Sequence, residues 1–249
     1  MLFTRNQTIK QALKRYHLDK HILTLLIAAF IGVLSGYGAV LFRLLIKGAQ
    51  YVFYNNTGDI LSFSHALPVY IIVGIPCLGG LMVGLIVTFA ASEAKGHGVP
   101  EVMEAVVLRN GRIRKRVAAA KILASAICIG SGGSVGREGP IVQIGSSLGS
   151  TASQIFNVAR AHQKTMVGCG AAAGIAATFN APIAGVLFAL EILLGDFGIA
   201  SFSPVVLSSV TATTISRHYF GDFPAFTIPA YHLKTLWEFA IYPFLGLFA

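Results

Sequence analysis

Charge is what this sequence has least of. Asp and Glu occupy 10 of its 249 positions and Lys and Arg 19, so only 12% of the chain is charged. An ordinary soluble domain carries about 25%, so a conventional water-solvated surface is excluded. Cysteine is sparse too. Cys77, Cys128 and Cys169 lie in apolar sequence with no close spacing and no histidine partner. That excludes a disulfide framework or a metal cluster of recognisable spacing, and leaves reduced packing residues. Catalytic signatures are also missing. The seven His are scattered, and Ser131 and Ser134 have no G-x-S-x-G context. No Lys-Ser/Thr follows the glycine-rich stretch around those serines and no strand precedes it, which removes a nucleotide-binding loop. The pattern points away from an enzyme and calls for no cofactor.

What the chain does have is apolar length. It is 55% hydrophobic, with a mean hydropathy of +0.71. Uncharged runs cover Ile22–Phe42, Ala66–Ser92, Ile122–Gly136, Gly139–Ala159, Thr165–Leu190 and Phe197–Ser216. Most approach the ~20 residues that a helix needs to cross a bilayer. The fold class expected is all-α, a polytopic membrane protein with tilted and broken helices. The first run is too long for a signal-peptide core and reads as a retained helix.

The net charge of +9 is unevenly placed. Arg5, Lys10, Lys14, Arg15 and Lys20 precede the first run, and Arg109, Arg112, Arg114, Lys115 and Arg116 cluster in a short loop. The stretch Tyr51–His65 is nearly free of Lys and Arg. By the positive-inside rule the N-terminus and the arginine loop are cytoplasmic. Contact with lipid headgroups is the alternative use of these charges, and nucleic acid is not an expected partner. Residues 1–20 form a first segment, a short amphipathic helix on the cytoplasmic face. Residues 21–249 form the transmembrane domain.

Pairs at GxxxG spacing recur at Gly32/Gly36, Gly80/Gly84, Gly132/Gly136, Gly145/Gly149 and Gly170/Gly174. Five such pairs imply a tightly packed bundle, because small residues let helix backbones approach in lipid. Pro68 and Pro76 predict a tilted or bent second span. Gly139–Ala159 carries Gln143, Gln154 and Asn157, too polar to face lipid, and reads as a short helix buried in protein. Asn180-Ala181-Pro182 breaks the next run: one element ends at Asn180 or Ala181, and Pro182 opens another.

Two further breaks carry chemistry. Gly130–Pro140, GSGGSVGREGP, sets Glu138 in a glycine-rich gap between apolar segments. An ionisable group at membrane depth costs roughly 2.5–3.5 kcal/mol, so its default reading is functional. Pro140 suits the first turn of a helix, whose free N–H groups and dipole favour an anion. GHGVPEV, Gly96–Val102, repeats the pattern, with Glu101 in the first turn. Together they suggest two helix N-termini aimed at one anion, with His97 at or near it. The plainer readings are a capping loop, a structural histidine, and a buried ion pair between Glu138 and Arg137 or Lys121. In the gating reading, ionised Glu138 competes with an anion for the positive site and protonation releases it, with burial raising its pKa.

GREGP, GHGVPEV and GCGAAAGIAATFNAPIAGVLFALE (Gly168–Glu191) closely resemble three motifs of the CLC family of chloride channels and chloride/proton exchangers, in the same order. The resemblance covers the chain but only the first half of the family's membrane domain. It implies the first of two inverted repeats, a homodimer with one pore per subunit, and transport of chloride or another small anion, with H+ as a possible second substrate. It implies Glu138 as the gating glutamate, with Gly136, Arg137 and Gly139 supplying the external backbone anion site. His97, beside Gly98, stands where many relatives have a chloride-holding serine. Lys121 matches a buried lysine that adds positive potential. Ile192 occupies the place of an internal proton-carrying glutamate, and an isoleucine cannot relay a proton. The expected setting is the inner (plasma) membrane of a bacterial-type cell. A pathway is expected to need the missing second repeat, and a non-transporting half-protein is the remaining alternative.

Overall fold

The computed structural model describes residues 2–58, 67–90, 95–222 and 237–248, with 63 and 235 singly; for 2–20, 90, 161 and 240 it describes the backbone alone. Parts of the expected Tyr51–His65 loop, the end of the Ala66–Ser92 run and Ala249 lie outside the described residues. Helices account for the architecture, with no strand among the described residues. In chain order they are α1 (Leu2–Tyr54), α2 (Val69–Ala90), α3 (Val99–Leu108), α4 (Arg116–Gly130), α5 (Glu138–Ile155), α6 (Arg160–Phe179), α7 (Pro182–Phe188), α8 (Ile199–Phe220) and α9 (Glu238–Phe248). A wider π-helical turn, Ala189–Leu194, follows α7 directly.

Among the described residues three helices are long and apolar enough to cross a membrane: His21–Tyr54, Val69–Phe89 and Ile199–Phe220. The first, at 34 residues, exceeds the ~20 required and is long enough to span with tilt. The basic segment before it is helical and continuous with it, not a separate helix. The other apolar runs yield shorter pieces. α4 stops at Gly130, and the run from Thr165 divides into α6 and α7 at Asn180. Asparagine marks several of these ends. Asn55, Asn110, Asn157 and Asn180 all have positive φ, between 49° and 54°, and follow α1, α3, α5 and α6 respectively. A short side chain that bonds locally tolerates the left-handed conformation that stops a helix.

α6 is the centre of the bundle, packed by α5, α8, α1 and α7. Lipid tails are as apolar as Leu, so helices gain little by hiding hydrophobic groups from them. Close van der Waals contact and hydrogen bonds decide the packing instead. The α5–α6 crossing shows how. A Cβ on Gly145 would collide with the Gly170 carbonyl oxygen, one on Gly170 with the Gly145 oxygen, and one on Gly149 with the Met166 oxygen. Gly32 and Gly36 of α1 meet α8 in the same manner, against Ser208 and Ala212. Serine hydroxyls then bond neighbouring backbones: Ser208 Oγ to the Cys169 carbonyl at 3.1 Å, and Ser209 Oγ to Pro182 at 2.9 Å. α5, expected to be buried, has Ile141, Gln143, Ser146, Ser147 and Ser150 all at 2% exposure or less.

The spacing rule fails for two pairs. Gly132 and Gly136 lie in the loop between α4 and α5, not on a helix. Gly80 and Gly84 of α2 have no atom within 4 Å of a built Cβ; they line a cavity. α2 continues through Pro76 and buries little of its length in the described chain.

Gly170→Ala is expected to destabilise the protein by about 1–3 kcal/mol, the usual cost of overpacking, and Gly84→Ala by nothing measurable. Thermal melting in one detergent checks both; equal losses would contradict a backbone-to-backbone crossing at α5–α6.

Candidate functional site

The glycine-rich breaks bring two helix N-termini together. α3 begins after Gly98, with Pro100 in its first turn, and α5 begins at Glu138, with Pro140 in its first turn. Gly98 has φ of 107°, a conformation open to glycine, and a Cβ there would lie 2.7 Å from the Gly139 carbonyl oxygen. On the other side, a Cβ on Gly139 would strike the His97 carbonyl oxygen and come within 2.8 Å of its ring Nδ1. The two segments touch through bare backbone, and both Gly98 and Gly139 are buried.

Each N-terminus carries a carboxylate. Glu101 reaches back to accept a hydrogen bond from the Gly98 N–H at 2.8 Å, satisfying one free donor of the first turn. Glu138 folds over its own turn, its carboxylate pressed against Gly136. No ion pair to Glu138 is found among the described residues, so neither Arg137 nor Lys121 is its salt-bridge partner. Glu138 is exposed. The burial expected around this carboxyl is therefore not supplied by these residues.

A cavity of about 820 Å³ opens beside this junction. One wall is the face Gly80, Val83, Gly84 and Val87 of α2, and the other is Lys121, Ala124, Ser125 and Cys128 of α4. Both sets recur at three- and four-residue spacing, one face of a helix each. His97 and Gly136 close the end. Lys121, 3% exposed, donates from Nζ to the Gly96 carbonyl oxygen at 2.8 Å. Its ammonium is thereby tied to the segment that carries His97. The cavity joins one buried cation and two helix N-termini with a flanking carboxylate.

Of the residues singled out in the sequence, His97, Gly136 and Lys121 line the cavity, and Gly98, Arg137, Glu138 and Gly139 form the junction around it. Ile192 lies elsewhere, 43% exposed in the π-helical turn and away from the cavity wall. Three contributors gave no sign of this role in the sequence. Gly80 and Gly84 read as helix-packing glycines. Tyr54, at the end of α1, donates its hydroxyl to the Ser131 carbonyl at 2.9 Å and packs against Gly132, bracing the root of the Glu138 loop. A tyrosine 77 positions away in sequence gives no local signal of that role.

The chain is similar to known proteins over most of its length. A family model described as voltage gated chloride channel matches residues 79–249. A ClcB-like chloride channel protein of Ralstonia nicotianae is 33% identical over 229 residues, covering 90% of this chain and 53% of that one. The voltage-gated ClC-type chloride channel ClcB of Escherichia coli O81 is 34% identical over 196 residues, 78% of this chain and 46% of its own. Among solved structures, a slow cyanobacterial Cl−/H+ antiporter superposes with a TM-score of 0.71 at 23% identity, over 90% of this chain and 53% of that one. A CLC-type fluoride/proton antiporter gives 0.68 at 23% identity, over 93% and 54%. The chain thus spans about half the length of the relatives it matches.

Glu101→Ala is expected to cost about 1.5–3 kcal/mol, the range for a hydrogen bond to a charged group, while Glu101→Gln, which keeps an acceptor oxygen, recovers most of it. Chemical denaturation of both variants checks this; an Ala variant as stable as the parent would argue against the bond to Gly98.

Proposed function

This chain belongs to the voltage-gated chloride channel family, and from that membership we propose that it carries small anions, chloride foremost, across a membrane along a path gated by Glu138. The observation that carries the proposal is the meeting of two helix N-termini at Gly98 and Gly139 beside a cavity holding Lys121. Desolvated N–H groups replace part of an anion's hydration shell without supplying a permanent full charge. Such a site binds and still releases, as conduction requires. His97 adds an imidazole N–H where a smaller hydroxyl serves in many relatives, which enlarges the donor and tunes the anion accepted.

The carboxylate of Glu138 lies against Gly136, at the edge of that field. Ionised, it is itself an anion and occupies the positive region; protonated, it withdraws and a chloride replaces it. In this reading the gate opens as external pH falls. Ile192 favours movement uncoupled from protons. The second reading, proton-coupled exchange, draws on the fold likeness to Cl−/H+ and fluoride/proton antiporters, with Glu138 carrying the proton. The proposed setting is a homodimer in a bacterial-type plasma membrane, with the basic N-terminus and the Arg109–Arg116 loop on the cytoplasmic side.

The test is the full-length protein in liposomes under a chloride gradient, with chloride efflux and external pH followed together. Efflux without proton movement identifies a channel, and efflux with it an exchanger. Glu138→Ala is expected to keep anion efflux while abolishing any proton movement and flattening the dependence on external pH. Loss of efflux in that variant, with the protein still folded, would make Glu138 a structural residue.

A further inference from the structure

A second cavity, of about 420 Å³, borders the first along Lys95 and Gly96. Four cationic side chains line it, Lys95, Arg109, Arg112 and Arg114, against two carboxylates, Glu101 and Glu104. Both carboxylates are already engaged. Glu101 accepts from the Gly98 N–H at 2.8 Å, and Glu104 pairs with Arg109 at 2.7 Å. The cleft is positive in balance.

The arginine loop is held on a fixed frame. The Ile113 N–H donates to Ser150 Oγ at 2.9 Å, and Ser150 Oγ donates to the Gly111 carbonyl at 2.6 Å. Gln154 Nε2 donates to the Ile113 carbonyl at 3.1 Å. These bonds from α5 fix the backbone that presents Arg112 and Arg114, so little ordering remains to be done when a ligand arrives. The volume lies within the roughly 300–1,000 Å³ of small-molecule pockets and far exceeds what a single halide needs. Guanidinium forks match phosphate oxygens in pairs.

We propose that this cleft binds a phosphate-bearing anion, and that its occupancy acts on the neighbouring anion site through the Gly96–Glu101 segment. The route is short. Glu101 lines the cleft and also holds the Gly98 N–H; Gly96 lines both cavities and accepts from Lys121. A phosphate drawn to Lys95 repels Glu101 and loads the segment that carries His97. The binding stands on the cleft alone; the effect on flux rests on the proposed transport function. The phosphate has two sources, a soluble ion or the headgroup of an anionic lipid at the interface, where basic clusters collect such lipids.

Two arms separate the sources. The full-length protein in phospholipid-free micelles is titrated calorimetrically with pyrophosphate. The protein released from phosphatidylcholine vesicles with or without phosphatidylglycerol is examined by native mass spectrometry for retained lipid. Binding in the first arm identifies a soluble ligand, and retention in the second alone a lipid. Binding in neither overturns the proposal. Arg112→Glu is expected to weaken binding about tenfold. Lys115→Glu, in the same loop but outside the cleft, is expected to leave it unchanged. Equal weakening by both would reduce the effect to diffuse attraction and overturn the site. Chloride efflux with and without pyrophosphate or phosphatidylglycerol then reads the coupling, and binding that leaves efflux unchanged overturns the second half. Absent efflux with intact binding would instead count against the transport function and leave the cleft standing.

Discussion

Two helix N-termini that point at one place repel each other, since each carries roughly half a positive charge. The junction of α3 and α5 exists because packing elsewhere holds it against that repulsion. Gly98 and Gly139 let the backbones touch, and the α5–α6 glycine crossing fixes where α5 begins. Glu101, bound to the Gly98 N–H, removes part of the field at one end. Glu138 stands in the first turn at the other end, and buried Lys121 adds a positive charge beside the junction.

The surrounding bundle avoids the usual means of stabilisation. Its cores are rich in alanine: Ala28, Ala171, Ala172, Ala173, Ala176 and Ala189 have no exposed surface, while Leu23, Leu26, Leu81 and Phe89 face outward. Such a distribution would aggregate a soluble protein and suits one solvated by lipid. Serine hydroxyls bonded to carbonyls of other helices add direction that dispersion lacks. Ser216 Oγ donates to the Ala177 carbonyl at 2.5 Å, just before the chain breaks at Asn180. Across that break Arg217 bonds Asn180 Oδ1 at 2.7 Å and pairs with Asp222 at 3.1 Å.

The breaks were legible because they depend on local chemistry. Proline in a first turn, glycine beside it and asparagine at a helix end state their conformations wherever they occur, so the starts of α3, α5 and α7 could be read directly. Spacing alone was less informative. GxxxG at Gly145/Gly149 marks a crossing, at Gly80/Gly84 a cavity wall, and at Gly132/Gly136 a loop. The first two differ in what lies opposite and the third in not being helical at all, which the spacing does not encode. The exposure of Glu138 and the bracing by Tyr54 were illegible for the same reason, since burial and distant partners are properties of the assembled bundle.

The contact between α1 and α8 has a consequence for how the protein is made. α1 emerges first, yet the partner for its bare glycine backbone at Gly32 and Gly36 is Ser208 and Ala212, near the far end of the described chain. At about 5–20 residues per second of synthesis, that groove waits on the order of ten seconds or longer for its occupant. Throughout that interval its small-residue face is open to any passing helix in the membrane. Correct assembly therefore depends on timing, and a delay in translation between α1 and α8 leaves the groove available to the wrong chain.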